Sequence, residues 1–279
     1  MNTPMPIEYL RPDLLRIIVP SPTIPPATTT NAWVTDAKDG LVVDPAAHTT
    51  ETKNTLLKTL APFQPQAIFL THHHRDHIGA ATFLREQLQV PIFAHAETAS
   101  LIDFTVDKQI DDGTTFSMRN DTWTAIHTPG HAPGHLCLLS SQDNSFIAGD
   151  MVAGEGTILI HPNEGSIREY IDSLEKIRTL NPSRLLPAHG QSLNQPEQTL
   201  QEYITHRKQR VLQIWDCLTD QPKTAFSIAK SIYTELPSKY IPMAAIQVTC
   251  GLLYLQEDGV VKEQSHGWIR IANDYSMTT

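Results

Sequence analysis

The stretch Thr71-His72-His73-His74-Arg75-Asp76-His77 decides how this chain is read. It follows an apolar, strand-like run and precedes an amphipathic helical one. That places it in a loop at the carboxyl end of a sheet strand, where α/β folds put their sites. Side chains alternate along an extended loop, so His72 and His74 point the same way, while Asp76 and His77 lie at the helix start and turn toward a second position. One short peptide thus offers two coordination shells. A polar surface loop or a purification tag is the bland explanation, but a tag carries no Asp and is not embedded between a core strand and an amphipathic helix.

A dinuclear site needs further ligands, each in a loop after a strand, and the sequence supplies them in order. His127-Thr128-Pro129-Gly130-His131-Ala132-Pro133-Gly134-His135 follows an apolar run, and its Pro and Gly residues shape a turn that can present an imidazole. Gly149-Asp150 comes after Ile147, at a place where a carboxylate can bridge two cations and reduce their repulsion. Pro187-Ala188-His189-Gly190 adds a last imidazole.

Around these loops the pattern is β-α-β-α-β, the order of an α/β architecture. Strands are expected at residues 17–19, 32–35, 41–43, 67–71 and 92–94, and helices at 51–60 and 77–88. Short strands then dominate, at 123–127, 136–140 and 145–148. A helix opened by Ser166 and Glu169 follows, and a strand at 183–186 leads into His189. Beyond Gly190 three helices (196–218, one opened by Thr224, and 243–256) precede a closing β stretch at 260–271, an order that resembles a winged helix. The expected division is therefore 1–195 and 196–279.

HxHxDH, TPGH, GD and PAHG in this order resemble the metallo-β-lactamase superfamily. The resemblance implies a four-layer αββα sandwich. It also implies one zinc on His72, His74 and His131, another on Asp76, His77 and His189, and Asp150 shared between them. Iron or manganese would suit the same donors. THHHRDH, the stretch Gly149–Thr157 written GDMVAGEGT, and the helix carrying EYITHR are closer still to the lactamase-beta-like-2 branch, which includes a mitochondrial endoribonuclease. The chain departs from that branch at Thr28-Thr29-Thr30-Asn31-Ala32-Trp33, where the branch has Gly-Thr-Asn-Thr-Tyr, so substrate contacts near this loop are not carried over.

Two such cations lower the pKa of a bridging water toward about 7 and give a hydroxide nucleophile without a side-chain base. Asp76 counts as a catalytic residue as well as a ligand. His135, four residues after His131, and Asp44 in Val42-Val43-Asp44-Pro45 are read as supports of the ligand loops, the second through its likeness to the superfamily's carboxylate. His161 reads as an exposed loop residue. His73, His48, His95, His206 and His266 read as ordinary surface or packing histidines.

The formal net charge of −9 argues against a surface built as a whole for polyanions. Arg207-Lys208-Gln209-Arg210 reads as the solvated face of a helix, and residues 243–258, which would form a recognition helix, contain no Lys or Arg. The three cysteines form no CxxC pair, and no run of about 18 apolar residues exists, which points to a cytoplasmic protein outside the membrane. The expected activity is hydrolysis of a small thioester or ester, with single-strand RNA cleavage as the alternative. β-Lactam hydrolysis ranks below both, because Asp150 stands where the best-known zinc lactamases have cysteine. A homodimer through the C-terminal module is a further expectation.

Overall fold

The computed structural model describes residues 4–277. A seven-stranded sheet has the order β1 (Ile7–Arg11), β2 (Leu14–Pro20), β3 (Thr29–Val34), β4 (Leu41–Val43), β5 (Ala67–Phe69), β6 (Ile92–Ala94) and β7 (Lys108–Gln109). Its first four strands are antiparallel, and β4 to β7 run parallel. A five-stranded sheet has the order β12 (Arg184–Pro187), β11 (Ser145–Gly149), β10 (Leu136–Ser140), β9 (Thr122–His127) and β8 (Thr115–Ser117), with only β11 and β12 parallel.

Period-two alternation assigns each strand residue to a layer. Trp33, Val43 and Phe69 of the first sheet meet Trp123, Leu138 and Ile147 of the second between the sheets. The alternate residues Ile17, Val34, Val42 and Ile68 face outward and pack with Leu56 and Leu60 of α1 (Thr50–Leu60) and Leu84 of α3 (Ala81–Leu88). On the far side, Cys137, Phe146 and Leu185 pack with Tyr170 and Leu174 of α5 (Ile167–Thr179). The result is the expected αββα sandwich.

The same outer cluster continues through α6 (Pro196–Cys217), α7 (Ala225–Ile232) and α8 (Ile241–Glu257), so the C-terminal helices extend the core instead of standing apart from it. A hairpin of β13 (Val261–Gln264) and β14 (Gly267–Arg270) closes the chain. Among the described residues no helix is long and apolar enough to cross a membrane.

The expected helix at 77–88 is two helices, α2 (Arg75–Ile78) and α3. At the break the Ala80 amide donates to Pro45 O at 2.8 Å instead of continuing the ladder, and Gly79 lets the chain pass close to His48, where a Cβ would lie 2.6 Å from Nε2. The sequence also gave no cue for β1, for the short strands β7 and β8, or for α4 (Ala96–Ser100), all too short or too irregular in pattern to be read. Arg207, expected on a solvated face, is instead buried. Its guanidinium donates to Ile158 O and to Gln247 Oε1 and lies over the Tyr170 ring. Helix periodicity could not show this, because the surface of α6 that carries Arg207 becomes interior only when α8 and the 158–160 loop cover it.

At the turn between β10 and β11, Asp143 accepts from Arg11 Nη1 at 2.7 Å, Ser145 N at 3.0 Å and Arg184 Nη2 at 2.5 Å. Burial pushes its carboxyl up, but Ser145, Arg184 and Arg11 outweigh this and hold it at about 2. A carboxyl lowered on folding contributes stability that is present above its unfolded pKa of about 3.9 and disappears as pH falls through the folded value. Urea unfolding from pH 7 to pH 2 should therefore show Asp143→Asn less stable than wild type at neutral pH. The difference should close between about pH 4 and pH 2; a constant gap would remove the charge from the account.

Candidate metal centre

Every predicted ligand sits just beyond the carboxyl end of a strand, at one edge of the two sheets. His72 and His74 follow β5, Asp76 and His77 lie in α2, His131 follows β9, Asp150 follows β11 and His189 follows β12. The backbone aims them. Asp150 is reached through Gly149 at φ +49°, where an added Cβ would lie 2.5 Å from His135 Nε2. Gly130, at φ +117°, lets the His131 turn press on α5: a Cβ there would lie 2.1 Å from Tyr170 N.

The seven side chains form two adjoining groups, one of His72, His74, His131 and Asp150, the other of Asp76, His77 and His189. In the first, His72 Nε2 lies 2.9 Å from His74 Nδ1 and 3.3 Å from His131 Nε2, and the last two are 3.0 Å apart. Asp150 joins the groups. Its Oδ2 is 3.5 Å from His131 Nε2, and its Oδ1 is 3.4 Å from His189 Nε2 and 3.6 Å from His77 Nε2. Asp76 Oδ2 is 3.6 Å from His189 Nε2.

The outward ring nitrogens fix the tautomers. His131 Nδ1 faces Leu159 O at 2.7 Å, His189 Nδ1 faces Thr29 O at 3.0 Å, and His77 Nδ1 faces Asp44 Oδ2 at 2.9 Å. Asp44 also accepts from the Thr71 amide and from Thr71 Oγ1, so this hydroxyl must in turn accept from His72 Nδ1 at 2.9 Å. One buried carboxylate thus holds a histidine in each group, and four imidazoles with outward protons turn lone pairs inward.

Electrostatics follows the same division. Burial, then the neighbouring histidines, holds His72 well below the ordinary histidine value, and burial brings His131 down to about 4. Burial opposes charge on His77 as well, but Asp150 and Asp44 raise it well above that value, and Asp150 raises His189. The Asp150 carboxyl, which burial would push up, is held well below the usual range by His77 and His189.

This donor set fits metal ions. His77 Nε2 and Asp150 Oδ1 are buried without a hydrogen-bond partner, and such orphans are costly. Three lone pairs meeting at 2.9–3.3 Å lie close to the N···N edges of about 3.3 Å in a tetrahedral shell with metal–nitrogen bonds of about 2.0–2.1 Å.

His135 does not reach the cleft. It is fully buried, its Nδ1 meets Thr128 Oγ1 at 2.9 Å, and its Nε2 accepts from the Asp150 amide at 3.1 Å, so it steadies the Asp150 backbone. Burial keeps it well below the ordinary value, as that acceptor role needs. His161 is exposed on the cleft wall. His73 is not an ordinary surface residue. Its Nε2 meets Glu164 Oε2 at 2.8 Å, and Glu164 Oε1 lies 3.2 Å from His74 Nε2.

Glu164 escaped the sequence reading because its loop carries no motif; tertiary folding alone brings it across the cleft to the ligand loop. His95 and His127 also meet, with rings stacked at 4.4 Å beside Glu97, away from the seven. Above the seven lies a cavity of about 320 Å³, walled by residues that include Ile24, Ala27, Ile158 and Leu159.

Comparison with known proteins agrees with this geometry. The chain is 29% identical over 278 residues to a beta-lactamase-like protein 2 homolog of Caenorhabditis elegans, covering 95% of this chain and 92% of that one. It is 27% identical to the atrochrysone carboxyl ACP thioesterase of Aspergillus fumigatus, over 75% of this chain and 65% of that one. The fold matches a beta-lactamase domain protein from Burkholderia ambifaria with a TM-score of 0.83 at 18% identity, over 95% of this chain and 93% of that one. Residues 25–189, which run from the loop before β3 to the last histidine of the centre, carry the sequence pattern of the metallo-beta-lactamase superfamily, and this chain belongs to that superfamily as one of its hydrolases.

Proposed function

We propose that the protein is a dinuclear, zinc-dependent hydrolase of small thioesters or esters. The observation that carries this is the charge of the cleft. Among the described residues lining it outside the candidate ligands, Arg75 is the one Lys or Arg, against Glu155 and Glu164. A single strand of RNA needs cations along its phosphates, whereas a neutral acyl group needs apolar wall such as Ile24, Ala27 and Leu159. The relative named as an acyl-carrier thioesterase supports the same reading.

His72, His74 and His131 would hold one ion, Asp76, His77 and His189 the other, and Asp150 would face both. Ions bound there supply Lewis acidity and a water acidic enough to ionise near pH 7. Asp76 would orient the attacking water, which at that acidity needs no side-chain base to lose its proton. Water adds across the C–S bond: the acyl carbon gains the hydroxyl, and the departing sulfur takes the proton.

The order of α6, α7, α8 and the β13–β14 hairpin supports reading residues 196–279 as a winged-helix-like unit on a catalytic unit of 1–195. Three unpaired cysteines suit a reducing, cytoplasmic setting.

The test compares initial rates of zinc-loaded protein and its His72→Ala variant on acyl thioesters and on labelled single-stranded RNA. Thioester turnover that vanishes in the variant, with RNA left intact, is the expected result. RNA cleavage lost in the variant, with thioesters untouched, would make the protein a nuclease.

A further inference from the structure

A second cavity, of about 480 Å³, lies beside the cleft on the side of the C-terminal helices. The two share a wall, since Ile24, Thr157, Ile158 and Leu159 line both. Its other side is built from Tyr233, Leu236, Tyr240, Met243 and Ala244. We propose that this groove binds the acyl chain of the substrate, so that the protein prefers thioesters of long or bulky apolar acids; this rests on the thioester reading above.

Ile24, Tyr240 and Met243 are among the few large apolar side chains left exposed among the described residues, at 49%, 39% and 36%, and all three line this one groove. Apolar surface gathered in a concavity marks a ligand site more than a solvated face.

The shared wall is also fixed to the metal centre. Leu159 O accepts from His131 Nδ1, so the residue that aims a ligand lies where the cavities join. Gln247 of α8 holds the same segment by accepting from Ile160 N at 3.3 Å and donating to Ile160 O at 2.7 Å. Arg207, the one Lys or Arg among the described lining residues, spends donors on Ile158 O and Gln247 Oε1. The groove is therefore a largely apolar trough that adjoins the cleft holding the candidate ligands, with Ile24 and residues 157–159 between the two. A thioester carbonyl placed above them sends its acyl chain into it.

The remaining cations stand outside: Arg210 lies over the Tyr233 ring and Lys239 over the Tyr240 ring. They belong to the rim, where a polar end of a substrate would emerge.

The experiment uses zinc-loaded full-length protein and N-acetylcysteamine thioesters from butyryl to decanoyl, so that the thiol side stays constant. A fully buried methylene is worth about fourfold, and one covered on a single side about twofold, so kcat/KM should rise on the order of sixtyfold across the six added methylenes. In Met243→Glu the decanoyl-to-butyryl ratio should fall toward one. Tyr9→Glu, at an exposed apolar position in β1, should keep the wild-type ratio.

A flat series in wild type overturns the groove while leaving the thioester reading intact, whereas no turnover at any length means that the reading itself has failed. In a parallel series of pantetheine thioesters of the same acids, rates that rise with the longer thiol arm and not with the acyl group put the thiol side in the groove. A change of oligomeric state in Met243→Glu with an unaltered ratio gives the groove to a second copy of the chain. Either result overturns the proposal.

Discussion

Asp150→Ala should lower kcat/KM by at least about a thousandfold, because in the proposed mechanism several kcal/mol of transition-state stabilisation would come from a dinuclear centre that this carboxylate would hold together. Its two oxygens face His131 on one side and His77 and His189 on the other. No other carboxylate faces both groups among the described residues at these distances, since Asp76 adjoins His77 and His189 only. The loss should appear first in metal content. Elemental analysis after dialysis should find two ions per chain in the wild type and one or fewer in the variant. Unchanged metal with activity within tenfold of wild type would show that Asp150 does not join the two sites.

The second large effect is at Asp44, and two substitutions there should separate stability from metal binding. Asp44 is 1% exposed and accepts from Thr71 N, Thr71 Oγ1 and His77 Nδ1. Asp44→Ala leaves these buried donors without an acceptor and should cost about 3–5 kcal/mol of folding stability. It also forces alanine to φ +50°, a conformation that Asp and Asn tolerate better.

Asp44→Asn keeps the shape and the acceptor for Thr71 N, but it presents an NH₂ toward Thr71 Oγ1 or His77. Its His77 then gains stability by moving its proton to Nε2, the atom that should face the metal. Stability should fall by only about 1–2 kcal/mol, while metal affinity drops about 10–100-fold. Urea unfolding of apoprotein together with competition against a chromophoric chelator reads both quantities. Equal losses of affinity and stability in the two variants would mean that Asp44 is merely structural.

These experiments bear on how the site was legible at all. The seven candidate ligands were legible because local chemistry shapes the segments that carry them: an extended His-x-His segment running into the short helix α2, a Pro-Gly turn, a Gly-Asp step at positive φ and a Pro-Ala-His-Gly step. Asp44 was legible as a carboxylate at the end of a strand. Its support of the His loop was read only through the family likeness, and its partners Thr71 and His77 were not legible, because they lie 27 and 33 positions away and join it through the parallel pairing of β4 with β5. His135 was legible as a neighbour of the centre, and its burial beneath Asp150 was not.

The sequence by itself determined the α/β architecture and the segments carrying the seven His and Asp side chains that the fold gathers into two adjoining groups, because hydrophobic alternation and turn chemistry act over a few neighbouring residues. The tertiary structure alone decided the break between α2 and α3, the burial of Arg207, the arrival of Glu164 at His73 and His74, and the apolar groove between residues 24–26 and α8. Each depends on surfaces far apart in the chain excluding water from one another, and no local pattern records which surfaces will meet.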